Sequence, residues 1–398
     1  MIDMFSASAS ARPRDLAIPS PMEAVPYVGD LAGTGFFIAK ETTTPDTQWW
    51  LIAVKTRDGQ PAFPPVSLNT TSEPPRCFLN VDSVLCLNDY RAPVTAWVVD
   101  ATSGRVSYQG PTDLRVDGAD LTVRQIGVAS VATTQGQGVF GVGPRATTSW
   151  FVPGDGDIPP NALDEPGATG FLTTQSASDP RSSAKTVFSA RDGRVVTPPV
   201  AAGAEVDEAV TYPGGFAAEV TTDDGPTEVQ FFDEEGQRVG DRGQSGRLST
   251  ATLTYPIVEG DNGKWMVFAP DGTRILEADG EVPTGVRVVG DVLFANRTSN
   301  ASFPEWQQYD WRTGKEGTTC PFDMRSRYRG SDDEVGVFAV DNPQAGILAR
   351  GRSLSTCDEL WSLPARADSS AQIWHIDTAL IRSSDDGDEL MSLVPRNQ

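Results

Sequence analysis

From residue 50 to residue 314 the chain alternates short apolar and aromatic runs with polar turns that close on glycine. Trp50-Leu51-Ile52-Ala53-Val54 runs into Asp58-Gly59, and Ala96-Trp97-Val98-Val99 into Ser103-Gly104. Ser149-Trp150-Phe151-Val152 leads to Asp155-Gly156, Thr186-Val187-Phe188 to Asp192-Gly193, and Val229-Gln230-Phe231-Phe232 to Glu235-Gly236. Trp265-Met266-Val267-Phe268 then leads to Asp271-Gly272, and Trp306-Gln307-Gln308-Tyr309 to Thr313-Gly314. The runs are too short for helices and rich in β-branched and aromatic residues, so each reads as a strand. Asp and Gly tolerate the positive φ of tight turns, so each unit is expected to contain a hairpin.

The turn glycines recur about every 42 residues, the length of one four-stranded propeller blade. A blade cannot bury both faces alone, so the copies must stack. The expected fold is all-β, a single β-propeller of four-stranded blades over residues 23–398, preceded by a flexible tether over residues 1–22. Seven blades with long loops are expected, eight with short loops being the alternative. Leu16-Ala17-Ile18-Pro19 is the candidate outer strand that completes the last blade. Two near copies, Asp358–Pro364 and Asp388–Pro395, continue the repeat in altered form at the C-terminal end.

Composition narrows the chemistry. Acidic residues number 54 against 32 basic, a formal net charge of −22, so nucleic acid is excluded as a partner by charge repulsion. One histidine, His375, rules out His-cluster metal sites and leaves a single place for a His-based triad. No nucleophile motif such as GxSxG accompanies it, and a structural role in its strand is expected. No catalytic, cofactor-binding or metal-binding residue is assigned, and no cofactor is expected. No stretch approaches the roughly 20 apolar residues that span a bilayer.

Four cysteines fall into two local pairs, Cys77 with Cys86 and Cys320 with Cys357, without zinc spacing. Two disulfides outside the cytosol are expected; four buried free thiols are the alternative. The Ser/Ala-alternating segment Ser6–Ala11 suits a flexible tether to a removed membrane anchor, or else an ordinary disordered terminus.

Other features have a structural reading beside the functional one. Asp155-Gly156-Asp157 and Asp385-Asp386-Gly387-Asp388-Glu389 gather oxygen ligands that suit calcium, yet Asp and Gly are also what turns need. Between Glu205 and Arg242 stand eleven acids against Arg238 and Arg242, a negative surface for a basic partner or for solubility. Among nine tryptophans, Trp49, Trp50, Trp306, Trp311 and Trp374 are candidates for a lipid or carbohydrate surface, although most belong in blade cores. Trp49 and Trp50 are adjacent in a strand and must face opposite ways.

Asp310-Trp311-Arg312-Thr313-Gly314-Lys315-Glu316 and Asp100-Ala101-Thr102-Ser103-Gly104-Arg105 resemble the repeat of propellers related to pyrroloquinoline-quinone enzymes. Those enzymes carry adjacent cysteines, which this chain lacks. With 27 Arg against 5 Lys, the tether and the cysteine pairs, the chain is also similar to membrane-anchored extracytoplasmic propellers of the actinobacterial envelope. That resemblance implies a non-catalytic, monomeric binding or scaffold domain that engages an envelope lipid or a membrane protein, as in mycolate glycolipid export. The competing expectation is a secreted propeller glycoside hydrolase or lyase with paired carboxylates.

Overall fold

In a computed structural model of the chain, the described residues are 12–16, 22–41, 47–90, 92–118, 120–159, 171–177, 184–222, 227–250, 255–297, 305–340, 346–366, 369, 371–376, 379–385 and 389–394. They form strands and turns, with no helix among them. The strands assemble into nine antiparallel sheets, eight of four strands and one of three.

In eight of the sheets the strands are consecutive in sequence. The first holds Met22–Leu31, Thr34–Glu41, Gln48–Lys55 and Val66–Thr70, and the second Arg76–Asn80, Ser83–Asn88, Thr95–Asp100 and Val106–Pro111. The third runs from Thr122–Ile126 to Thr148–Pro153, and the fourth has Leu172–Ser176, Lys185–Ser189 and Val195–Val196. The fifth holds Ala204–Tyr212, Gly215–Thr222, Glu228–Asp233 and Arg238–Ser245, and the sixth Arg247–Ser249, Ile257–Glu259, Lys264–Phe268 and Arg274–Asp279. The seventh runs from Val286–Val289 to Glu316–Cys320, and the eighth from Tyr328–Ser331 to Glu359–Pro364. The ninth joins Ile373–Ile376, Ala379–Ser383 and Leu390–Val394 to Arg12–Leu16, which pairs antiparallel with Leu390–Val394.

The chain divides into two compact units, one of residues 1–118, 142–147 and 326–398, the other of residues 119–141 and 148–325. Within each, the core lies between neighbouring sheets. In the first unit Val337, Leu348 and Ala349 of the eighth sheet meet Ile373 and Leu380 of the ninth, whose other face carries Ile376, Ile381 and Leu390 against Phe37, Ala39 and Ile52. In the second unit Phe231 faces the sixth sheet and Phe232, the next residue, faces the fourth. Side chains alternate along a strand, so a strand buried on both faces must read as a continuous apolar run, as these do.

The last two strands of each of the first eight sheets are joined by closely related turns. Five span six residues: Asp100 N–H donates to Arg105 O while Gly104 N–H donates back to Asp100 O, and the same pair of bonds closes the turns Lys55–Gln60, Ser189–Arg194, Asp310–Lys315 and Ser353–Asp358. Three are one residue shorter, at Gly143–Thr147, Asp233–Gln237 and Ala269–Thr273.

Nine sheets correct the expected seven, and the eight considered beside it. The third sheet turns at Gly143–Thr147, where Ala146 takes the positive φ of 51°, and not at Gly156, which follows the last strand of that sheet. The eighth turn places Cys357 at φ 66° where all the others except the third place glycine. The ninth sheet has no such turn, because its fourth strand comes from the other end of the chain. That strand is Arg12–Leu16, earlier than the expected 16–19 and inside the segment assigned to a tether over residues 1–22; residues 17–19 lie outside the described residues. The near copies also differ in place: Glu359–Pro364 is the outermost strand of its sheet, whereas Leu390–Val394 lies inside the ninth.

Candidate functional site

Cys77 and Cys86 are direct cross-strand partners in the second sheet and are disulfide-bonded, with Cα atoms 4.0 Å apart. Cys320 and Cys357 are disulfide-bonded too, and no free cysteine remains. Cys320 ends the outer strand of the seventh sheet, where Gln308 Nε2 lies 3.1 Å from its sulfur. Two disulfides are compatible with an extracytoplasmic protein. No helix among the described residues is long and apolar enough to cross a membrane.

The candidate tryptophans are mostly core. Trp49 is buried and its indole N–H donates to Thr71 O at 2.9 Å, while Trp50 points the other way toward the first–ninth sheet core. Trp306 is buried beside Cys320, its partner in register. Trp311 is half-buried at its turn, with the Arg312 guanidinium 5.5 Å from its ring centroid.

Trp374 and His375 stand on Ile373–Ile376, the innermost strand of the ninth sheet, and both are half-buried. Trp374 turns toward the first sheet, 5.6 Å from Phe37 and 5.8 Å from Tyr27 between ring centroids, while Tyr27 and Phe37 are 5.4 Å apart. The three rings pack against one another in tilted and edge-on contacts. Tyr27 donates to Asp30 Oδ1 at 2.6 Å, and burial, followed by the Asp30 charge, raises its pKa.

The same arrangement recurs in the eighth sheet, where Tyr328 donates to Ser331 Oγ at 2.8 Å and its ring meets Phe338 at 5.8 Å. Both tyrosines open a β-bulge whose glycine, Gly29 or Gly330, has positive φ. The sequence signal was there, in Tyr27-Val28-Gly29-Asp30 and Tyr328-Arg329-Gly330-Ser331, but it lies on the first strands of the first and eighth sheets and outside the Asp-Gly pattern.

The carboxylates of the turns are engaged by backbone. Asp100 Oδ1 accepts from the Ser103 N–H at 2.7 Å and from its hydroxyl, and the hydroxyl first, then the N–H, hold the acid below the usual aspartate range. Asp310 accepts from the N–H groups of Arg312 and Thr313, the latter chiefly lowering its pKa. Asp58, Asp192, Asp233 and Asp271 cap their turns likewise. The acids resembling the quinoprotein repeat thus serve as turn caps.

The two loops considered for calcium also use their acids internally. Asp155 Oδ1 accepts the Asp157 N–H, and Asp385 Oδ1 accepts the Ser369 hydroxyl, which lowers its pKa. Asp386, Gly387 and Asp388 lie outside the described residues. Among the described residues no three His, Cys, Asp or Glu side chains gather as metal ligands. Of the acidic stretch, Glu219 accepts the Leu248 N–H and Glu208 lies 3.6 Å from Lys185 Nζ, so part of its charge is spent within the fold.

Comparison with known proteins gives one close relative and several distant folds. The chain is 36% identical over 385 residues to an uncharacterized protein of Mycolicibacterium smegmatis (strain MKD8), covering 94% of this chain and 79% of that protein. The crystal structure of BamB from Moraxella catarrhalis superposes with a TM-score of 0.45 at 10% identity, over 95% of this chain and 99% of that one. The computationally designed Ika8 protein superposes at 0.41 with 12% identity, over 80% and 95%. Residues 8–396 match the model of the conjugation-associated 9-bladed β-propeller domain. With nine sheets in the order that a closed set of blades requires, the chain belongs to that family and is a single all-β propeller of four-stranded blades.

Proposed function

We propose that this chain is a non-catalytic, extracytoplasmic scaffold domain that binds a membrane-protein partner within a conjugation apparatus. The family match over residues 8–396 carries the reading, and the two disulfides favour the compartment. The chemistry of the acids favours binding over catalysis. A glycosidase needs one carboxyl whose pKa is raised so that it can donate a proton, whereas Asp100, Asp192, Asp271, Glu277, Asp310 and Asp385 are all shifted downward. A protein partner is preferred to the envelope glycolipid because the family is conjugation-associated, and Trp374 packs against Tyr27 and Phe37.

The test deletes the gene in a donor cell and measures conjugative transfer, with in-cell crosslinking of the restored protein. Loss of transfer, rescued by the wild-type chain crosslinked to a membrane protein, supports the proposal. Unchanged transfer, together with glycan turnover or glycolipid retention by the purified domain, overturns it.

A further inference from the structure

The second and third strands of the sixth sheet, Ile257–Glu259 and Lys264–Phe268, are joined through Gly260-Asp261-Asn262-Gly263. Gly260 N–H donates to Lys264 O at 2.8 Å, and Gly263 N–H donates back to Gly260 O at 3.2 Å. Gly263 has φ 74°, the left-handed conformation on which a hairpin loop of this length ends. This is the one Asn-Gly step in the chain; every other asparagine is followed by a residue that carries a Cβ.

Asn262 and Gly263 are both exposed. Asn262 Oδ1 accepts the Lys264 N–H at 3.2 Å and lies back over the turn, where a Cβ on Gly260 would sit 2.9 Å from it. The side-chain carbonyl is thus folded over its own backbone and polarised by a donor, which favours nucleophilic attack at Cγ. Gly263 supplies the nucleophile, its backbone nitrogen, and a Cβ built on it would meet nothing within 4 Å. The hydrogen bond that this nitrogen donates is at the long end of the normal range, in a solvated hairpin tip, where local opening costs least. Opening frees the nitrogen, and glycine then reaches backbone angles that other residues resist. The neighbouring polar groups are engaged elsewhere, Asp261 Oδ2 by the Ser245 hydroxyl at 3.0 Å and Lys264 Nζ by Glu277 at 2.9 Å.

We propose that Asn262-Gly263 is a modification site, at which the chain deamidates spontaneously and its backbone isomerises. The Gly263 nitrogen gives its proton to water or hydroxide, and its lone pair forms a bond to Asn262 Cγ. The Cγ–Nδ2 bond breaks, and Nδ2 takes a proton from water and leaves as ammonia, closing a five-membered imide. Water then opens the imide. Attack at Cγ breaks its bond to the Gly263 nitrogen and gives aspartate; attack at the backbone carbonyl carbon breaks the original peptide bond and gives isoaspartate. Either product places a new negative charge beside Asp261. Isoaspartate also adds a backbone carbon to a hairpin that sets Glu259 opposite Trp265 and Val258 opposite Met266. Trp265 is buried, with its ring 5.6 Å from that of Tyr309, so a shift at the tip is passed into the core and the sixth sheet loosens. The inference stands apart from the scaffold reading above.

The experiment incubates the purified chain in mildly alkaline and mildly acidic buffers made with heavy-oxygen water, and maps its peptides by mass spectrometry. The peptide carrying Asn262 is expected to exchange its amide for an acid, to take up heavy oxygen and to separate into aspartate and isoaspartate forms. Conversion should be faster in the alkaline buffer, where more of the nucleophilic nitrogen is deprotonated. Gly263→Ala should slow it about tenfold, because the added Cβ shields that nitrogen. Asn262→Gln keeps an amide but would need a larger ring, so it should stay unconverted and hold its melting temperature through the same incubation, while that of the parent falls. Conversion at Asn262 no faster than at Asn80, Asn88 or Asn296, or undiminished in Gly263→Ala, would overturn the site. A parent chain converted to isoaspartate with an unchanged melting temperature would overturn the loosening of the sixth sheet.

Discussion

Cys357 holds in the turn Ser353–Asp358 the place that Gly104 holds in Asp100–Arg105. Each donates its N–H to the first residue of its turn, Cys357 to Ser353 O and Gly104 to Asp100 O, and their φ angles are 66° and 69°. A residue with a Cβ pays about 1–2 kcal/mol for that backbone region, and here the residue is half of a disulfide.

In reducing buffer, Cys357→Gly should therefore be more stable than the reduced parent by about 1 kcal/mol. In oxidising buffer the order should reverse, because the variant loses a bridge worth about 2–4 kcal/mol. Paired urea titrations, with and without reductant, check both signs.

Gly104→Ala should destabilise by about 2–4 kcal/mol, since its Cβ would enter the ring of Phe63 in addition to the backbone cost. Gly203→Ala, also at positive φ but facing open space, should cost only about 1 kcal/mol. The difference in unfolding free energy isolates the ring contact.

Trp374→Ala opens the aromatic cluster with Tyr27 and Phe37 at the first–ninth sheet seam and should cost about 2–4 kcal/mol. Tyr27→Phe keeps the ring and loses only the bond to Asp30, for about 1 kcal/mol. Chemical denaturation followed by tryptophan fluorescence, read beside circular dichroism because Trp374 is itself a reporter, ranks the two.

Removing residues through Leu16 deletes the outer strand of the ninth sheet and bares the edge of Leu390–Val394. The expected result is a lower melting temperature and concentration-dependent association through the open edge. Differential scanning fluorimetry and size-exclusion chromatography test it, and a truncated chain that stays monomeric with an unchanged melting temperature would contradict it.

Asp100, Asp271 and Asp310 have folded pKa values below their unfolded ones. Their contribution is present above the unfolded aspartate value, about 3.9, and is lost as pH falls through the depressed folded values. The melting temperature should hold level from neutral pH to about 5 and drop below about 4. The double variant Asp100→Asn, Asp310→Asn should start lower and fall less steeply over that window.

Turn chemistry was legible because it is local. Asp100, Asp192, Asp271 and Asp310 announce hairpins through bonds made within two or three residues, and the apolar runs before them announce strands buried on both faces. Strand content, the four-stranded unit and the role of Asp100 and Asp310 as caps could be read on those terms, and so could the pairing of Cys77 with Cys86 across a two-residue turn. The sheet count could not, since Ala146 and Cys357 adopt left-handed turns that no composition rule assigns to them.

Other decisions depend on distance in the chain. Whether Arg12–Leu16 is a tether or a strand is settled by Leu390–Val394, at the opposite end of the sequence, whose edge it pairs. Likewise nothing local to Tyr212 says that its hydroxyl lies buried without a hydrogen-bond partner among the described residues, because that depends on how the fifth sheet packs on the sixth. The sequence by itself determined the strands and the turns that join neighbours, whose hydrogen bonds and buried faces are set by adjacent residues. The tertiary structure alone decided how many sheets there are, which strand closes the last, and which buried polar groups among the described residues are left unsatisfied, since each follows from contacts between segments far apart in the chain.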